Sequence, residues 1–241
     1  MQGEMVHFES SGATIPAYLA VPSDKGPFPA VIVVQEIWGL VEHIKDIVRR
    51  LASQGYTACA PDLYVREGGA PPSGDLQVFR KFLGEIPDRQ IVGDLEATFR
   101  YLQGRPDIRK ERIGIIGFCM GGFYVLFSSA QIQGLRAAVD FYGRLVYPEL
   151  NDKKPISPID RAKDILCPIQ FHFGEADPSI PLDQVTRLKE IVKAHGKPFE
   201  LYTYPDAPHA FFNDTRDSYR PEAAQPAWQR TLAFFAKHLK A

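Results

Sequence analysis

Arg112-Ile113-Gly114-Ile115-Ile116-Gly117-Phe118-Cys119-Met120-Gly121-Gly122 is the stretch whose reading decides the fold. The apolar run from Ile113 to Ile116 predicts a strand buried on both faces. Gly117 to Gly121 then follows the G-x-S-x-G spacing of a strand-to-helix elbow, with cysteine in the serine position. Such an elbow strains the backbone at its central residue and brings neighbouring chain so close that the flanking positions cannot carry a Cβ. Phe123 to Ser128 is apolar enough to be the buried helix that follows. A thiolate at a helix N-terminus is favoured by the unpaired backbone N–H groups there. Taken alone, the segment is equally a glycine-rich turn with an incidental buried cysteine.

Working outward, the same grammar repeats. Upstream, Val6 and Phe8, then Ile15, Ala17 and Leu19, alternate around Ser10-Ser11-Gly12 and predict an antiparallel hairpin. Ala30 to Val34 is a continuous apolar run, closed by Gln35-Glu36-Ile37-Trp38-Gly39. Val41 to Gln54 has helical spacing and stops at Gly55. Thr57 to Ala60 reads as a short buried strand ending in Pro61-Asp62-Leu63-Tyr64, and residues 66–75 as a loop. An amphipathic segment reaches Leu83, and a helix is expected from Asp88 to Gln103. Downstream lie strands at Ala137 to Tyr142, Pro168 to Phe173 and Phe199 to Tyr204, a polar loop from Arg144 to Pro158, and helices at Leu182 to His195 and Trp228 to Leu239. Strands alternating with helices call for an α/β architecture, a mostly parallel central sheet with helices on both faces. The whole of 1–241 is expected to be a single domain.

Composition excludes several functional classes. A formal net charge of −1 gives no footprint for nucleic acid or an anionic membrane surface. No apolar stretch approaches the ~18 residues that span a bilayer. The opening Met1 to His7 lacks the basic segment and apolar run of a signal peptide. Cys59, Cys119 and Cys167 are odd in number and form no C-x-x-C pair, against a disulfide framework or a zinc site. The expectation is a cytoplasmic chain, monomer or homodimer, with no nucleic-acid or membrane partner.

In open parallel sheets, ligands bind beyond the carboxyl ends of the strands. Two polar residues of catalytic type follow strands after the elbow. Asp177 lies in Gly174-Glu175-Ala176-Asp177-Pro178, and His209 in Ala207-Pro208-His209-Ala210-Phe211. Separately, each reads as an ordinary loop residue. Together, the order nucleophile, acid, histidine is that of α/β-hydrolases. The histidine must take and return a proton near neutral pH, and a carboxylate must fix its tautomer. His172 reads as a packed strand residue, and His7, His43, His195 and His238 as exposed.

With those segments in hand the chain resembles the dienelactone hydrolase family, the carboxymethylenebutenolidase-like α/β-hydrolases, over nearly its whole length. The resemblance rests on Val33 to Gly39, Ala60 to Tyr64, Gly93 to Ala97, Gly117 to Gly122 and Ala207 to Phe211. It implies an α/β-hydrolase fold and hydrolysis of lactones or esters with no metal and no cofactor. It implies that Glu36 contacts the resting thiol and accepts its proton when substrate arrives. The backbone N–H groups of Ile37 and Met120 are the implied oxyanion hole.

The match departs where the substrate is held. Family members acting on dienelactone use two arginines, one on the helical segment after the variable loop and one four residues past the histidine. The latter position is Asn213 here, with Arg216 and Arg220 nearby; Arg80 and Lys81 are the closest cations on the former. Trp38, Tyr64, Arg80, Tyr142, Arg144 and Arg216 are the candidate substrate-binding residues. The expected reaction is cysteine-dependent hydrolysis through a thioester. The alternatives are a carboxylesterase or thioesterase for neutral substrates, or a non-catalytic binding module on the same fold.

Overall fold

The structure is a computed structural model that describes residues 2–241. Eight strands form one sheet in the order β1-β2-β4-β3-β5-β6-β7-β8. β1 (Glu4–Ser10) and β2 (Ala13–Ala20) make the expected hairpin, turning at Ser11 and Gly12, both at positive φ. β2 also pairs antiparallel with β4 (Thr57–Pro61), and every later pairing is parallel. β3 (Phe28–Val34) and β4 are buried at every position, because covered parallel strands leave no face for water. The other strands are β5 (Ile108–Phe118), β6 (Ala137–Phe141), β7 (Ile169–Gly174) and β8 (Phe199–Tyr204).

The helices are α1 (Glu42–Ser53), α2 (Leu76–Glu85), α3 (Asp88–Gly104), α4 (Met120–Ser129), α5 (Leu182–Ala194) and α6 (Pro221–Phe235). They cover both faces, as the neighbours of β5 establish. Phe235 and Leu239, at the end of the chain, close over Gly114, while Val125 of α4 lies against Gly117. Positions 114 and 117 differ by an odd number, so they face opposite sides of the sheet. None of these helices is long and apolar enough to cross a membrane, among the described residues.

Two expectations need correction. α6 begins at Pro221, not at Trp228. Pro221 sits at the helix start, where its missing N–H costs nothing, and Pro226 lies inside the helix, where a proline removes one backbone hydrogen bond. His43 was expected on the surface and is buried, 4% exposed, with its ring 6.5 Å from both Phe118 and Phe212. It comes from α1, and Asp214 Oδ1 lies 3.5 Å from its Nδ1.

Strand order places the site. β3 is followed by β4 on one side of it, and β5 then returns to its other side. This reversal opens a crevice at the carboxyl ends of β3 and β5, the position where such sheets bind ligands. Gln35-Glu36-Ile37 leaves β3 there, and Cys119 follows β5 there, immediately before α4.

Candidate active site

Cys119 has φ 56° and ψ −111°, a conformation rarely populated by residues with a side chain. The packing around it enforces this geometry. A Cβ at Gly117 would overlap the carbonyl of Gly121, and one at Gly121 would overlap Val34 O and lie 2.8 Å from Gln35 O. The elbow thus rests directly on the backbone that leaves β3.

Three side chains meet at the crevice from separate strand ends. Cys119 Sγ lies 3.0 Å from His209 Nε2, and His209 Nδ1 lies 2.6 Å from Asp177 Oδ2. Asp177 is buried and is held by the N–H (2.8 Å) and hydroxyl (2.5 Å) of Ser179. Burial alone would raise the Asp177 carboxyl, but the bonds from His209 and Ser179 hold it below its ordinary value. Burial would likewise lower His209, yet Cys119 and Asp177 raise it to about 10. Ser179 escaped the sequence reading, although Asp-Pro-Ser has the form of an Asx turn.

The N–H groups of Ile37 and Met120 have no backbone acceptor among the described residues. Met120 opens α4, where helical geometry leaves its donor free. Tyr64, expected to line the pocket, is fully buried behind these two residues. Its hydroxyl donates to Ile37 O at 2.8 Å and lies 3.1 Å from Met120 Sδ, while its ring packs edge-on to Phe82. Tyr142 is also fully buried, at φ 43°, with its ring edge-on to His209 at 5.2 Å. Both tyrosines brace the site and do not line it.

Glu36 is 2% exposed at the edge of the crevice. Its Oε2 accepts from Asn213 Nδ2 at 2.8 Å, and Oε1 has no partner among the described residues. Among the described residues no hydrogen bond joins it to Cys119.

Above the three side chains opens a cleft of about 460 Å³, reached by Trp38, Arg80, Arg144 and Arg216 of the expected set. Arg216 stacks over the Trp38 ring at 4.6 Å. Neither Arg80, Arg144 nor Arg216 has an ion-pair partner among the described residues. Arg220 lies elsewhere and donates to Asp217 O and Tyr219 O. The segment expected as a polar loop supplies one wall, with Tyr147 and Lys154. Lys154 is buried and bonds Asp88 Oδ1 (2.7 Å) and Tyr124 Oη (2.9 Å), and Tyr147 Oη also reaches Asp88. This cluster ties the wall to the starts of α3 and α4. No local pattern marks it, since the lysine and aspartate are 66 residues apart.

The thiols differ sharply. Burial pushes Cys59 and Cys167 up to about 12, whereas Cys119 reaches the cleft. Brief iodoacetamide treatment of the native protein is expected to label Cys119 at least roughly 100-fold faster than the other two, since thiolate fraction and access set the rate. Peptide mass mapping reads this, and equal labelling would remove the distinction.

Comparison with known proteins gives a consistent result. Residues 15–239 match the model of the "Dienelactone hydrolase family". A Methylorubrum extorquens protein named "Putative carboxymethylenebutenolidase" is 41% identical over 225 residues, 93% of this chain and 77% of the relative. A Bradyrhizobium protein named "Probable 2-oxo-3-(5-oxofuran-2-ylidene)propanoate lactonase" is 37% identical, covering 98% of this chain and 94% of its own. The crystal structure of a "Putative Dienelactone Hydrolase" from Klebsiella pneumoniae superposes with a TM-score of 0.94 at 39% identity, covering 98% of each chain.

Proposed function

Because the chain belongs to the dienelactone hydrolase family, and so is an α/β-hydrolase that cleaves carboxylic ester or lactone bonds, we propose that Cys119 is its nucleophile and that it works through a thioester. The observation that carries this reading is the unbroken chain from Cys119 Sγ through His209 to Asp177, at 3.0 and 2.6 Å. Sγ attacks the acyl carbon while its proton passes to Nε2 of His209. The carbonyl oxygen, now an anion, is met by the N–H groups of Ile37 and Met120. Collapse expels the alkoxide, which takes the proton from His209, and in a lactone the new alcohol stays on the acyl chain. Water then attacks the thioester, giving its proton to His209. The thiolate leaves and takes that proton from His209 as the acid departs. Asp177, fixed by Ser179, keeps Nδ1 protonated throughout.

The three unpaired arginines around the cleft favour an anionic substrate. A charge-assisted hydrogen bond contributes about 1.5–3 kcal/mol, roughly 10- to 100-fold. A carboxylated lactone is therefore expected to exceed its methyl ester by that factor in kcat/KM, and Arg144→Ala or Arg216→Ala to shrink the ratio. Equal rates for acid and ester would favour the second reading, an esterase for neutral substrates, which the apolar lining by Leu76, Leu83 and Phe123 supports. Mass spectrometry of enzyme quenched during turnover tests the mechanism itself, with an acyl adduct expected on Cys119.

A further inference from the structure

The geometry points to a Glu36 that is protonated and uncharged in the resting enzyme because it is buried with no paired cation, Asn213 positioning its carboxyl through a neutral hydrogen bond where a cation would ionise it, so that the thiol proton goes to His209 and not to Glu36. The orientation of the Asn213 amide is fixed by its other end. Its Oδ1 accepts from the N–H (3.0 Å) and the hydroxyl (2.7 Å) of Thr215. A backbone N–H can only donate, so Oδ1 must stay with Thr215 and Nδ2 must face Glu36. Glu36 Oε2 thus receives one hydrogen bond from a neutral donor.

Everything else facing this carboxyl bears on its charge. Tyr142 stands beside it from the end of β6, buried, its hydroxyl without a partner of ordinary geometry. That hydroxyl can donate to a carboxylate or accept from a carboxylic acid, and its pull toward the charged form is the smallest of those acting on Glu36. Arg216 acts from farther away, as does His209 once it holds the thiol proton. When His209 is protonated its charge is matched by Asp177 at 2.6 Å, and Arg216 is exposed to solvent over Trp38. No cation lies within ion-pair distance of Glu36 among the described residues. A buried carboxylate without a paired cation gives up its charge by taking a proton. Burial is the largest influence on Glu36 and raises its pKa, against the smaller pull of Asn213, His209, Arg216 and Tyr142.

A protonated Glu36 cannot accept the thiol proton. Its proton then comes from solvent and remains on the carboxyl through the cycle, while the Sγ–H bond breaks toward His209 Nε2. This consequence rests on Cys119 being the nucleophile; the charge state of Glu36 does not.

Infrared difference spectroscopy on the full chain separates the two. The spectrum of wild type minus Glu36→Gln at neutral pH is expected to contain a carboxylic acid C=O band belonging to Glu36. Subtraction is required because buried Asp140, raised to about 7, contributes a similar band. Asn213→Arg puts a cation against Oε2 and should ionise Glu36, reducing the band to less than a tenth. Carboxylate bands in place of the acid band in the wild-type difference would overturn the proposal. That comparison does not depend on Asn213→Arg folding. A Glu36 acid band together with an active Cys119→Ala enzyme would instead remove the nucleophile reading and leave the assignment of Glu36 standing.

Discussion

Cys119→Ala and His209→Ala each lower ester turnover by about 10⁴-fold or more, and the double variant loses little beyond the worse single one. The non-additivity is the informative part. Sγ and Nε2 are 3.0 Å apart and exchange one proton, so removing either member disables the other. What remains over water is the contribution of the oxyanion donors and of binding, which neither substitution touches. Steady-state rates with a chromogenic ester, corrected for the uncatalysed reaction, measure it. Near-wild-type turnover in either single variant would defeat covalent catalysis at Cys119, and additive losses would mean that the two side chains act separately.

Gly121→Ala is the second large effect, and it acts on the fold. The new methyl would meet Val34 O and Gln35 O, both backbone atoms at the end of β3 beside the elbow, with no flexible side chain to yield. Overpacking in a core costs about 1–3 kcal/mol and more when the backbone must move. We expect a loss of about 3–5 kcal/mol, large against a total stability of about 5–15 kcal/mol. At about 2–4 °C per kcal/mol for a domain of this size, the melting temperature should fall by about 6–20 °C. Gly93→Ala is the control. It lies within α3 with nothing within 4 Å of a new Cβ, and should stabilise by about 0.5–1 kcal/mol. Thermal unfolding by circular dichroism compares the two. Equal melting temperatures would mean that the elbow tolerates the methyl group.

The parts of the chain that were legible in sequence carry their information locally. Ala30–Val34 and Ile113–Ile116 are continuous apolar runs because both their faces are covered, and Gly117 and Gly121 mark a close approach that no larger residue permits. The chain order of Cys119, Asp177 and His209 carried the rest of the constellation. Illegible were contacts between distant segments. Tyr64 looks like a pocket aromatic until its hydroxyl is found on Ile37, 27 residues away. Lys154 reads as a solvated loop lysine because its partners Asp88 and Tyr124 are 66 and 30 residues distant. Asn213 was visible as a missing arginine, but its bond to Glu36 crosses 177 residues. His43 reads as exposed and is buried, because a helical histidine gives no sign of which aromatic rings will cover it.

The buried cluster under the cleft wall has a consequence for how ionic strength acts on the enzyme. Lys154 is spent against Asp88 inside the protein, whereas Arg80 and Arg216 stand in solvent at the mouth. Fixed charge is therefore graded with depth, compensated within and free at the entrance. Dissolved ions screen exposed charges over a length of about 8–10 Å and hardly reach a buried pair. Added salt thus weakens the capture of an anionic substrate, a step governed by the entrance, and leaves bond breaking at Cys119 in an electrostatic setting that the buffer does not change.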